Sequence, residues 1–268
     1  MAMRFKDQVV WITGASSGIG EGLAYAFHRE GAHLVLSARR AGELDRVKTA
    51  CEGPGEILPL PFDVVDDAAR AAAVKQVLDR FGRVDMLVNN AGISQRALGK
   101  DTDIGVDRRI MEVDYFAAVA LTKLVLPSML ARGKGHLVAT SSVAGKFGVW
   151  NRTAYCAAKH ALHGFFDALR IELHRDGIDV SLLVVGNVMS EVSLHALTGD
   201  GTPFGQMDLL QQHGMSAAEC ARRVLDGLAR KEHEIAVVTP LGRRALWLAR
   251  FWPRRFFKVI TRMGPGPR

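Results

Sequence analysis

Short runs of apolar and β-branched residues recur along the chain at 9–12 (Val-Val-Trp-Ile), 33–36, 57–60, 86–88, 136–139, 180–185 and 235–238. They are too short for helices and carry apolar side chains on both alternating faces, the pattern of strands covered from both sides. Between them, residues 18–30, 42–51, 66–81, 104–132, 153–175 and 216–230 repeat apolar positions three and four apart, as amphipathic helices do. This alternation predicts an α/β fold: a single doubly wound parallel sheet of about seven strands with helices on both faces. No linker rich in Pro, Gly and Ser divides the chain. Residues 1–240 are therefore expected to form one domain, with 241–268 as a C-terminal extension.

At 268 residues and 48% hydrophobic content the chain can bury a substantial core and shows no bias towards disorder. Cys51, Cys156 and Cys220 form no Cys-x-x-Cys pair and no His cluster has ligand spacing, so neither disulfides nor a metal site is expected. Asp7 precedes any apolar run, and no stretch reaches the roughly 18 unbroken apolar residues of a membrane span. A cytoplasmic protein is expected, with membrane association left to surface contacts. The net charge of +7 is unevenly placed: Glu234 is the last acid, and eight basic residues follow it. Without those eight, 27 basic residues face 28 acidic ones, so the excess charge belongs to the tail and argues against a general nucleic-acid footprint.

The first strand runs through Thr13-Gly14-Ala15-Ser16-Ser17-Gly18-Ile19-Gly20 directly into a helix. A glycine-rich turn there lets backbone N–H groups and the positive end of the helix dipole approach a diphosphate. In dinucleotide-binding folds a carboxylate ending the second strand holds a free ribose 2′-OH, whereas arginine suits a 2′-phosphate. Here that end reads Ser37-Ala38-Arg39-Arg40, which places Arg39 for a phosphate and favours NADP(H) over NAD(H). Tyr155 and Lys159 stand four apart in a helical stretch and so share one face. An ammonium close to a phenol favours the phenolate and equips the tyrosine to exchange a proton near neutral pH. Ser142, just after a strand, offers a hydroxyl for a substrate oxygen. Cys156 and His160 border the pair but point elsewhere, as packing or surface residues.

Taken in order, these motifs resemble the short-chain dehydrogenase/reductase family in its common branch, over nearly the whole chain from Val9 to about Val238. Thr13 to Gly20 look like its glycine motif, with Gly14, Ser16, Ser17, Gly18, Ile19 and Gly20 as cofactor contacts. Asp63 and Val64 look like its adenine-contacting pair, Asn90, Ala91 and Gly92 like the motif that ends the fourth strand, and Val188 and Ser190 like the segment that meets the nicotinamide carboxamide. The resemblance implies a Rossmann-type fold, hydride transfer between NADP(H) and a carbonyl or secondary alcohol, and catalysis by Ser142, Tyr155 and Lys159, with Tyr155 and Lys159 also touching the cofactor. It further implies a homodimer or homotetramer. Two positions depart from the family's usual pattern. Asp114 stands where asparagine is the fourth catalytic member, and Val185 stands where many members have proline.

Residues 190–215 occupy the place of the family's substrate lid. Leu194, Leu197, Phe204, Met207, Leu209 and Leu210 would suit either a mobile cover over a lipophilic substrate (a steroid, retinoid, long-chain or aromatic carbonyl) or a small core of their own. In the tail, Leu241, Ala245, Leu248, Trp252, Val259 and Met263 gather on one side of a helical wheel and Arg243, Arg250, Arg254, Lys258 and Arg262 on the other, with Pro253 expected to break the helix. Peripheral membrane contact through 241–263 and docking on a partner subunit or over the pocket both fit this pattern; nucleic acid fits it less well. Two further readings use the same features: an NADP(H)-sensing regulator without turnover, and a membrane-surface adaptor. The intact Ser142, Tyr155 and Lys159 argue for an enzyme over either.

Overall fold

Alternate residues of each strand feed two separate cores, which is why the strands read as apolar on both faces. Val10, Ile12, Leu34, Leu36 and Val88 point into one core, and Val9, Trp11, Val35, Leu87 and Leu137 into the other. In the computed structural model, which describes residues 3–263 (except the side chains of Leu209, Leu210 and Met263), seven strands form one sheet. They are β1 (Val9–Thr13), β2 (His33–Ser37), β3 (Ile57–Pro59), β4 (Met86–Asn89), β5 (Gly135–Ser142), β6 (Ile178–Val185) and β7 (Glu234–Val237). The order is β3-β2-β1-β4-β5-β6-β7, with every neighbouring pair parallel. This is the predicted doubly wound α/β fold. The expectations that rested on Leu209, Leu210 and Met263 side chains and on residues 264–268 lie outside the described residues.

One core is closed by α1 (Gly18–Arg29), α2 (Ala41–Thr49) and α8 (Ala217–Ala229, which follows the one-turn α7, Leu209–Gln212), the other by α3 (Asp67–Phe81), α5 (Ala117–Arg132) and α6 (Thr153–Glu172). Helix ends follow local chemistry. Asp66 caps α3 by accepting from the Ala69 N–H at 2.9 Å, and Ser216 caps α8 by accepting from the Glu219 N–H at 3.2 Å. The order reverses where β1 lies between β2 and β4, so the loops after β1 and β4 part and leave a crevice at the strands' C-terminal ends.

The helix expected over 104–132 is continuous but not uniform. α4 (Ile104–Met111) passes into α5 through a π turn at Glu112–Phe116, within which Val113 and Asp114 are buried. By length and composition Ile104–Arg132 could cross a membrane, yet Leu121, Val125 and Met129 are buried against the sheet, as in a core helix. The tail forms α9 (Pro240–Phe251) and α10 (Pro253–Met263), parted at Trp252 as Pro253 requires. The break divides the wheel between two helices; on α9, Trp247 and Phe251 are a turn apart on the same side as Arg243 and Arg250, opposite Leu241, Ala245 and Leu248.

Candidate active site

All the residues expected at the site except Gly20 line one cleft at the crevice: the turn after β1, Arg39, Asp63 and Val64 after β2 and β3, Asn90 to Gly92 after β4, Asp114, Ser142, Tyr155, Lys159, Val188 and Ser190. Gly20 serves the turn from behind. A Cβ there would fall 2.2 Å from the Gly14 carbonyl oxygen, so the turn can close this tightly only over glycine. Gly14 itself sits at φ +64°, with Ala91 Cα 2.8 Å from any added Cβ. Asn90 Nδ2 donates to the Thr13 carbonyl (3.0 Å) and Gly14 carbonyl (3.3 Å), while Thr13 Oγ1 accepts from the Asn90 and Ala91 N–H groups. The two loops therefore hold each other, and the first N–H groups of α1 are aimed into the opening between them. Arg39 and Arg40 are exposed at the cleft edge and, among the described residues, make no ion pair. Asp63 is 3.8 Å from Arg109.

The polar centre lies deeper. Lys159 is buried beneath the Tyr155 ring, its Nζ 5.5 Å from the ring centroid, donating to the Thr140 carbonyl at 2.9 Å and 3.1 Å from Asp114 Oδ2. Asp114 Oδ1 accepts from the Ile93 N–H at 2.7 Å, whereas Oδ2 has no well-aligned hydrogen bond despite its closeness to the ammonium. Gly92 permits this approach, since a Cβ there would meet Asp114 Oδ2 at 3.0 Å. Burial opposes charge on both partners. For Lys159 the neighbours Asp114 and Tyr155 outweigh it and hold the ammonium above its ordinary range; for Asp114 burial prevails and raises the carboxyl. Ser142 Oγ accepts from the Ala144 N–H at 3.2 Å, leaving its proton free, and among the described residues Tyr155 Oη makes no hydrogen bond. Cys156 is buried and accepts from the Val149 N–H, and His160 bonds its own helix at the Cys156 carbonyl, so both are packing or surface residues as expected.

A turn that only glycine permits, with free N–H groups beside exposed arginines and a buried ammonium under a phenol, fits a dinucleotide with a reactive ring. A family model described as short chain dehydrogenase matches residues 8–198. The chain belongs to the short-chain dehydrogenase family. It is an oxidoreductase of that family, whose members use a nicotinamide cofactor. Among relatives, the dehydrogenase/reductase SDR family protein 7-like of Anopheles gambiae is 43% identical over 97% of this chain and 84% of its own length. Among solved structures, a short-chain dehydrogenase from Streptomyces avermitilis superposes with a TM-score of 0.82 at 27% identity, covering 98% of both chains. An alcohol dehydrogenase from Thermococcus sibiricus, complexed with 5-hydroxy-NADP, does so at 0.74 and 25% identity over 87% of this chain and 96% of its own.

Some contacts beside the cleft escaped the sequence reading. Arg96 and Arg152, the latter three residues before Tyr155, both reach Asp208 Oδ2 at 3.1 Å and tie the segment 190–215 to the body of this short-chain dehydrogenase. Asp208 is the one acid between Asp200 and Glu219, which is the signal that could have marked it. The segment contributes Ser190, Glu191, Val192, His195 and Gln211 to the cleft. Leu194, Leu197, Phe204 and Met207 are half-buried and do not line it; Leu197 packs on the cluster of Val106, Ile110, Ala154 and Ala158, and its backbone bonds to Ser94 and Arg96.

Proposed function

We propose that this enzyme interconverts a carbonyl and a secondary alcohol with NADP(H), with Tyr155 as general acid and base. The observation that carries the reading is the stack of Tyr155 over a charged, buried Lys159 in the same cleft as Ser142 and the glycine turn. When bound, the nicotinamide ring supplies or accepts the hydride. In reduction Tyr155 Oη gives its proton to the substrate oxygen, and in oxidation it takes the proton back. Ser142, whose Oγ already accepts from the Ala144 N–H, donates to the same oxygen. Lys159 holds its ammonium beneath the Tyr155 ring and would offer it to the cofactor ribose. Asp114 keeps Lys159 charged and in place, acting through it as a positioning residue.

Gly14, Ser16, Ser17, Gly18, Ile19 and Gly20 would hold the diphosphate, Asp63 and Val64 the adenine end, Asn90, Ala91 and Gly92 the cofactor from below, and Val188 and Ser190 the carboxamide. The pair Arg39 and Arg40, without an ion pair among the described residues and exposed at the cleft edge, supports the 2′-phosphate and hence NADP(H). Ile93 and Val192 are apolar lining residues that suit a lipophilic substrate. Exposed Phe116 and Leu124 along the 104–132 helix and Ile171 on α6 support a homodimer or homotetramer built through those helices. Tyr155→Phe tests the chemistry: NADPH affinity should stay within about twofold while turnover against a carbonyl panel falls by 10²-fold or more, on the order of one acid–base contribution. Wild-type-like rates in that variant would sink the assignment.

A further inference from the structure

We propose that α9 and α10 form a docking surface for an anionic lipid bilayer, a contact that does not depend on the reaction above. Seven cations stand between Arg243 and Arg262 with no acid after Glu234. Among the described residues none of the seven forms an ion pair, whereas arginines elsewhere on the surface, such as Arg29, Arg46 and Arg222, each reach a carboxylate. The unneutralised charge is interleaved with apolar surface. Trp247 and Phe251 are 53% and 61% exposed, and the Trp247 ring packs on Phe251 and Trp252 at centroid distances of 5.6 and 4.6 Å. On α9 the spacing sets Arg243, Trp247, Arg250 and Phe251 on one outward face.

α10 shows the same pairing of properties around a fixed seat. Phe256 is buried, its ring 4.8 Å from that of Phe147, and it anchors the helix to the segment between β5 and α6. Phe257 and Val259, on either flank of that seat, remain about half exposed, and the cations of α10 occupy the opposite side. A nucleic acid would neutralise the cations but leave Trp247, Phe251 and Phe257 in water. The headgroup layer of an anionic bilayer satisfies both needs at once, because aromatic side chains settle at its apolar boundary while arginine and lysine reach up to phosphates. Charge complementarity thus selects an anionic bilayer over a neutral one. Phe147 lies five residues after Ser142, so docking would bring the bilayer beside the segment that joins Ser142 to Tyr155.

The test is sedimentation of the purified full-length protein with phosphatidylcholine vesicles, with and without phosphatidylglycerol, at low and high salt. The expected result is binding to the phosphatidylglycerol vesicles, at least about tenfold weaker to neutral vesicles or at high salt, with a blue shift of tryptophan emission. Two variants, Trp247→Ser/Phe251→Ser/Phe257→Ser and Arg243→Glu/Arg250→Glu/Arg254→Glu, should each weaken binding by a similar factor while thermal unfolding stays unchanged. Binding that ignores lipid charge, or that survives both variants, overturns the proposal. So does capture of a DNA duplex without vesicle binding. Failure to bind vesicles, with the aromatic variant converting an oligomer into monomers, would identify the occupant as a second copy of the chain and overturn it equally.

Discussion

Replacing Asp114 tests whether the polar centre is a true buried ion pair. Both side chains are almost wholly out of solvent, and their charged atoms are 3.1 Å apart. At an effective dielectric of about 20 that separation corresponds to roughly 5 kcal/mol of attraction, opposed by the cost of burying two charges. Removing one partner leaves that burial cost uncompensated on the other. Asp114→Leu leaves the Lys159 ammonium, among the described residues, with the Thr140 carbonyl alone as acceptor and strips the Ile93 N–H of its acceptor. A loss of about 3–5 kcal/mol is expected from the charge, plus about 1–3 kcal/mol from the unsatisfied N–H. Asp114→Asn keeps the shape and an oxygen for Ile93, so its loss should be smaller, on the order of 1–3 kcal/mol.

Urea unfolding of the wild type, both variants, Lys159→Met and the double variants measures these differences, provided m stays constant. In the Lys159→Met background Asp114 is itself the uncompensated charge, so Asp114→Leu should there cost far less or become stabilising. The coupling between the two positions should exceed about 2 kcal/mol. A loss below about 1 kcal/mol for Asp114→Leu, with coupling within about 0.5 kcal/mol of zero, would refute the charged pair and with it the positioning role given to Asp114.

Arg39→Ala should weaken NADPH about 10- to 100-fold, the worth of a charge-assisted hydrogen bond to phosphate, and leave NADH within twofold; fluorescence titration with both nucleotides checks it, and an unchanged NADPH/NADH ratio would remove Arg39 from the 2′-phosphate site. Burial pushes His136 down to about 4, and burial with Lys146 nearby takes His163 to about 4, so both are neutral in the fold, while in the unfolded chain they titrate near 6.5. Below that value the unfolded state takes up protons the folded state refuses. Stability should therefore be complete above about pH 6.5 and fall as pH drops towards 4, by up to roughly 3 kcal/mol per histidine. His163→Gln should flatten that limb in urea titrations at stepped pH; an unchanged slope would show that His163 does not carry it.

The fold was legible because its determinants are local. A strand covered on both faces must be apolar at every position, and a helix on a sheet must repeat every three to four residues, so the order of elements could be read from spacing alone. What spacing misses is the partner of a buried charge. Asp114 lies four residues after Ile110 and seven before Leu121, on the stripe that faces the fold, yet only the structure brings Lys159 to it.

The candidate site divides along the same line. The glycine turn and the Tyr155–Lys159 pair stood out in the sequence because each lies within one turn or one helix, and the cleft gathers them with Arg39. Arg96, Arg152 and Asp208 did not, because their contact joins segments 112 and 56 residues apart and exists only once the cover has folded over the cleft. The same holds for residues 190–215: Leu194, Leu197, Phe204 and Met207 announce an apolar surface, but only the folded segment shows that they are half-buried away from the cleft, while Glu191, Val192, His195 and Gln211 line it. A case for a lipophilic substrate therefore rests less on the cover than on the tail, where the apolar side chains do stay exposed and where Phe256 fixes them next to the segment between Ser142 and Tyr155.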